Sequence, residues 1–113
     1  MVAEIEPAEL AALRDAGTDL RIVDVRAGPA FDRGHIPGSE HLPLHSIADG
    51  VADLVGAETV VAVCPHGEAS RQAVKLIQSY EGIDADTRVV SLAGGLEAWD
   101  GPLVASEEEE ETA

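Results

Sequence analysis

Cysteine, lysine and aromatic residues are each scarce in this chain, and each scarcity removes a class of function. Cys64 is the only cysteine, so no internal disulfide can form, and there is no CxxC pair to bind metal or cycle redox state. Lys75 is the only lysine, and seven basic residues face 22 acidic ones, for a net charge of −15. Nothing in that balance neutralises phosphates, which argues against nucleic acid and against anionic membrane surfaces. Phe31, Tyr80 and Trp99 are the only aromatics. The core must therefore come from Val, Ile, Leu and Ala, the usual material of a buried parallel sheet with covering helices. No run approaches the ~18 apolar residues that a membrane span needs. The opening MVAEIEPAEL lacks the basic and apolar regions of a signal peptide, and a cytoplasmic location is expected.

What remains is ordinary for one packed globule. Of 113 residues, 45% are hydrophobic, enough for one modest core. The acidic excess resembles that of proteins from salt-loving organisms, where self-repulsion is screened because the Debye length falls to about 3 Å near 1 M salt. The alternative is an ordinary acidic protein with an acidic tail. Residues 1–105 are expected to form the domain. SEEEEETA, 106–113, has no apolar anchor and reads as a solvated, disordered tail.

Strand and helix signals alternate along the domain. PAELAALRDA (7–16) reads as a helix opened by Pro7 and closed by Gly17, with Leu10 and Leu13 on one face. LRIVDV (20–25), ETVVAV (58–63) and TRVVSL (87–92) read as strands. A helical turn is expected over 29–33, a weak helix over 43–55 and a last turn in LEAWDG. The strongest helix spans Ser70 to Tyr80, with Ala73, Leu76, Ile77 and Tyr80 on one face. The alternation predicts an α/β domain with a mostly parallel sheet, in which ligands bind beyond the carboxyl ends of strands.

Cys64 stands at such an end. The loop from Pro65 to Ala69 then covers a helix N-terminus, where unpaired amides and the helix dipole favour an anion. Gly67 permits unusual backbone geometry, and Ser70 is a candidate N-cap. A thiolate in that cradle titrates below a free cysteine. The competing reading is a cysteine that only packs.

Four segments decide between them. IVDVR (22–26), AFDRGHIPGSEHLPL (30–44), VVAVCPHGEAS (60–70) and LAGGLEAW (92–99) have the order and spacing of single-domain rhodaneses. The chain resembles that family from residue 5 to 102. The resemblance implies a five-stranded, mostly parallel sheet flanked by helices on both faces. It implies a sulfurtransferase in which Cys64 takes a sulfane sulfur from thiosulfate or a persulfide donor and passes it to a thiol or other thiophilic acceptor. Pro65, His66, Gly67, Glu68, Ala69, Ser70 and Arg71 would form the substrate loop, their amides (Pro65 has none) holding the anionic sulfur. No metal or organic cofactor is implied. The partners would be a small-molecule donor and a thiol acceptor, a protein thiol included.

Supporting positions follow from the same motifs. Asp24 and Arg26 either brace the loop or line the pocket mouth, or else form a surface ion pair. His35 reads as a hydrogen-bonded structural histidine, Pro37–Gly38 as a tight turn and Trp99 as a core anchor. Gly94 and Gly95 would let backbone approach the loop closely. The loop departs from the commoner Cys-x-x-Gly-x-Arg-Ser: Ala69 replaces the arginine, and Glu68 adds negative charge beside it. Arg71 either substitutes for the missing cation or faces solvent. Ala30 replaces a glutamate that often precedes the phenylalanine. His66 either assists proton transfer and donor orientation or is an exposed loop residue.

Three rivals are weighed. A cysteine phosphatase or arsenate reductase needs Cys-x5-Arg, but Ser70 is sixth after Cys64 and Arg71 seventh. A non-catalytic binding module of the same family would form no persulfide. A metal site from His41, His45, His66 and Cys64 lacks HExxH or CxxC spacing, and Pro43 interrupts the one i, i+4 histidine pair.

Overall fold

The computed structural model describes residues 2–107. Its frame is one five-stranded sheet with strand order β1-β5-β4-β2-β3, comprising β1 (Glu4–Ile5), β2 (Leu20–Asp24), β3 (Glu40–His41), β4 (Thr59–Val63) and β5 (Arg88–Leu92). All four strand pairings are parallel. The three long strands are those expected from β-branched runs. The two edge strands are only two residues long, too short to show a period.

Strand alternation sorts the core into two layers. On β4, Val60 and Ala62 point to one face, and Val61 and Val63 to the other. The first face packs against α4 (Ala69–Gln78) through Ala73, Val74 and Ile77, and against Ile47, Val51 and Leu54. The second packs against Leu10 of α1 (Pro7–Ala16), with Ile36 and Trp99. Trp99 is thus the expected anchor, its indole N–H donating to the Pro102 carbonyl at 3.1 Å. Helices cover both faces, as the sheet's apolar character requires. The remaining elements are α2 (Gly28–Arg33), α3 (Ile47–Gly50) and short 3-10 turns at Leu44–Ser46, Val51–Leu54 and Leu96–Ala98.

Two local expectations need correction. The stretch 43–55 is not one helix: it breaks into a 3-10 turn, the single turn α3 and another 3-10 turn, with Pro43 before it and Gly50 within it. On α4 the buried stripe is Ser70, Ala73, Val74 and Ile77. Leu76 lies about 110° around the helix from the centre of that stripe at 100° per residue, and Tyr80 lies past the helix end. Both are exposed and line a groove of about 830 Å³ against Leu44, Ile47 and Val51. That groove adjoins the C-terminal end of α4, opposite the end next to Cys64.

Of the expected tail, Ser106 donates its hydroxyl to Asp32 at 2.8 Å, and 108–113 lie outside the described residues. No helix among the described residues is long and apolar enough to cross a membrane.

The two faces of α4 give a stability test. Ile77→Ala, at a fully buried position, is expected to cost about 2–5 kcal/mol in urea unfolding, and Leu76→Ala less than about 1 kcal/mol. Equal losses would contradict the assigned face.

Candidate active site

Cys64 directly follows β4, the central strand, and sits at the carboxyl edge of the sheet. Its side chain points to the α4 face, because Val60, Ala62 and Cys64 alternate with Val61 and Val63. The residue is 1% exposed, although Pro65, His66 and Glu68 beside it are all exposed. The Gly67 N–H donates to Cys64 Sγ at 3.0 Å. Sγ lies 3.2 Å from Ser70 Oγ, with the thiol donating, and Ser70 Oγ lies 2.7 Å from Ser91 Oγ. When the sulfur ionises, the Ser70 hydroxyl can reverse and donate to it while accepting from Ser91.

Burial pushes the Cys64 thiol up. Hydrogen bonds from the Ser70 side chain, then from the amides of Ser70, Gly67 and His66, pull it further down. The net result lies below an ordinary thiol, as expected for donors converging on the charged form.

The loop holds this shape because a second turn fixes its carbonyls. Leu96 N–H donates to the Cys64 carbonyl at 2.8 Å, and Glu97 N–H to the Pro65 carbonyl at 3.1 Å. With those carbonyls bound to the 94–97 turn, the amides that follow are free to face the sulfur. The approach is close enough to demand glycine. A Cβ on Gly95 would stand 2.5 Å from the Cys64 and Pro65 carbonyl oxygens, and Gly95 has φ +67°. Gly67, at φ +95°, packs against the amides of Gly94 and Gly95. Close backbone approach at Gly94–Gly95 is therefore what the structure contains.

Other candidates sit elsewhere or differently. Ser70 does not cap α4: the cap position is Glu68, which makes no side-chain capping bond, and Ser70 is buried inside the first turn with its hydroxyl on the sulfur. Arg71 supplies no cation to the loop. Its guanidinium pairs with Glu4 of β1 at 3.0 Å on the surface. His66 Nδ1 pairs with Glu97 Oε2 at 2.5 Å, both side chains exposed. Ala69 is half-buried at the start of α4 and leaves the loop without a cation at that position.

Asp24, Arg26 and His35 form a separate brace. Arg26 grips the fully buried Asp24 carboxylate through Nε and Nη2, and Nη2 also donates to the Gly34 carbonyl at 2.7 Å. His35 is buried, stacks on Phe31 at 3.8 Å and donates through Nδ1 to the Phe31 carbonyl. Its backbone bridges to Val104. The brace meets the cysteine strand through the sheet, where Asp24 is the register partner of Val63. Ile36–Ser39 makes the tight turn, with Gly38 at φ +85° and Ser39 N–H bonding the Ile36 carbonyl at 2.9 Å.

The four residues of the metal reading do not converge. His41 Nε2 donates to the Arg26 carbonyl, His66 is on Glu97, and His45 lines the distant groove. No group of three or more metal-ligating side chains occurs among the described residues.

Sequence reasoning missed two residues of the site. Ser91 carried one signal, a lone polar residue within the apolar 89–92 run of β5. Glu97 carried none, since its partner is 31 positions away in the chain.

The family model for the rhodanese-like domain matches residues 6–101, and the chain belongs to that family. It is 40% identical over 95 residues to thiosulfate sulfurtransferase GlpE of Pseudomonas syringae pv. syringae, covering 84% of each chain. Among solved structures it resembles a rhodanese-like domain protein from Staphylococcus aureus, with TM-score 0.79 and 26% identity over 92% of this chain and 98% of that one. It also resembles a thiosulfate sulfurtransferase from Pseudomonas aeruginosa, with TM-score 0.81 and 26% identity; 95% of this chain is covered, but it spans only 20% of that longer protein.

Because Cys64 is the only thiol, ultraviolet thiolate absorbance against pH, taken as the difference from Cys64→Ser so that Tyr80 cancels, reads it alone. Its midpoint is expected below that of a free cysteine, with the thiolate present above the midpoint and lost as pH falls through it. Ser70→Ala removes the largest lowering interaction and should move the midpoint up. A midpoint unmoved by that change would contradict the assigned cause.

Proposed function

We propose that this chain is a sulfurtransferase in which Cys64 alternates between thiolate and persulfide. The thiolate attacks the sulfane sulfur of a donor. For thiosulfate, the sulfur–sulfur bond breaks and sulfite leaves with the bonding electron pair. The outer sulfur, now a persulfide anion on Cys64, is held by the Gly67 amide and its neighbours, so charge is stabilised by dipoles already in place. An acceptor thiolate or cyanide then attacks that outer sulfur and releases the Cys64 thiolate, in a ping-pong cycle. Cys64 is the only cysteine, so the acceptor is external.

The observation that carries this reading is the Gly67 N–H at 3.0 Å from the only thiol, at the head of α4, in a chain 40% identical to a thiosulfate sulfurtransferase. Pro65–Arg71 is the substrate loop in this reading. Asp24, Arg26 and His35 hold the neighbouring edge of the sheet, and Gly94 and Gly95 seat the loop. The rhodanese-like unit spans 1–105, with an acidic tail after it. A cytoplasmic setting rich in salt fits the net charge of −15.

One observation favours a second reading, a non-catalytic binding module: Cys64 is only 1% exposed. Intact-mass analysis after incubation with thiosulfate separates the two. The sulfurtransferase reading expects a gain of one sulfur atom that is absent in Cys64→Ser. A wild-type mass unchanged by thiosulfate and by a hydropersulfide would favour the binding module.

The loop lacks a cation for a dianionic donor. Thiosulfate:cyanide turnover is therefore expected to be weak, and Ala69→Arg to raise kcat/KM for thiosulfate about tenfold or more. A fall would show that the missing charge is not what restrains the reaction.

A further inference from the structure

The charge arrangement at the rim of the Cys64 loop goes further than the sulfurtransferase reading, on which this inference rests. Four charged or chargeable side chains stand on or beside the loop: His66, Glu68, Arg71 and Glu97. Arg71 is held away by Glu4. Among the described residues His66 is the other group there able to carry positive charge, and the Glu97 carboxylate meets its Nδ1 at 2.5 Å. Glu68 is exposed at the cap position of α4, with no side-chain capping bond. The rim thus holds one His66–Glu97 pair, whose charges cancel when the imidazole is protonated, and one carboxylate with no ion-pair partner, on a chain of net charge −15.

The amides beneath suit one anionic sulfur. Among the described residues no unpaired cation at the rim answers a second, sulfonate-like charge on the same donor. We infer that Glu97, by neutralising His66, and Glu68 set donor specificity: they disfavour dianions such as thiosulfate and favour hydropersulfides of low net charge. With a hydropersulfide RS–SH, the Cys64 thiolate attacks the outer sulfur and the S–S bond breaks. RS− leaves with the electron pair, and the proton stays on the transferred sulfur, giving Cys64–S–SH. Glu97 acts here through His66 and touches neither reacting sulfur, so it is a positioning residue whose effect is on selectivity.

The test compares kcat/KM for thiosulfate with that for cysteamine hydropersulfide, whose ammonium offsets its persulfide charge. Assays run at about pH 6, where free imidazole is largely protonated, in the lowest salt that keeps the native circular dichroism. Glu97→Gln leaves His66 uncancelled and should raise the thiosulfate/hydropersulfide ratio by about three- to tenfold, an effect that shrinks toward 1 M salt. His66→Ala in the Glu97→Gln background should return the ratio to near the parent value, and His66→Ala alone should lower it. A merely structural link between the two loops would change both donors alike and leave the ratio constant. A constant ratio while Cys64 still gains sulfur overturns the specificity inference and leaves the sulfurtransferase reading standing. No sulfur on Cys64 from either donor overturns that reading, and the inference with it.

Discussion

Two backbone hydrogen bonds organise this site: Leu96 N–H to the Cys64 carbonyl, and Glu97 N–H to the Pro65 carbonyl. The loop has one more carbonyl than N–H donors, because Pro65 carries no N–H, and an anion is stabilised only if the carbonyls are turned away. The 94–97 turn takes up two of them, and the Gly67 N–H is left pointing at Sγ. Gly95 makes the arrangement possible, because any side chain there would collide with the peptide it clamps. The parallel sheet places the two turns side by side, since β4 and β5 are neighbours and both end at the same edge.

The sulfur's environment follows from that clamp and from strand alternation together. Alternation puts Ser91 on the same face of β5 as Val89 and so beneath α4, where its hydroxyl supports Ser70. Ser70 in turn reaches the sulfur from the first turn of α4. The Ser70 hydroxyl and three amides oppose the cost of burying the thiol, and their sum exceeds it. A fully apolar setting would raise the thiol instead, and leave a cysteine that only packs.

Legibility in the sequence tracked the length scale of each interaction. β4 and α4 were visible because TVVAV is a run rich in β-branched residues and because Ala73 and Ile77 recur at the helix spacing, although Leu76 and Tyr80, read onto the same face, are exposed. β1 and β3 were not, because two residues carry no period and their pairing comes from the sheet. Cys64 stands at the strand-to-helix handover read from the sequence, and Gly94–Gly95 lie in the turn after β5. The partners of Arg71 and His66 were out of reach, since Glu4 and Glu97 are brought to them only by the fold. Ser70 was assigned the ordinary role of a serine at a helix start. Its position one residue inside α4 turns the hydroxyl inward to the sulfur.

The clamp can be tested at the sulfur itself. Gly95→Ala forces a Cβ against the Cys64–Pro65 peptide, 2.5 Å from its atoms, so the loop must shift and its amides lose their aim. The decisive measurement is the thiolate titration of Cys64 in Gly95→Ala, made on protein that keeps native circular dichroism. The account predicts a midpoint raised toward or beyond that of a free cysteine; an unchanged, depressed midpoint would contradict it.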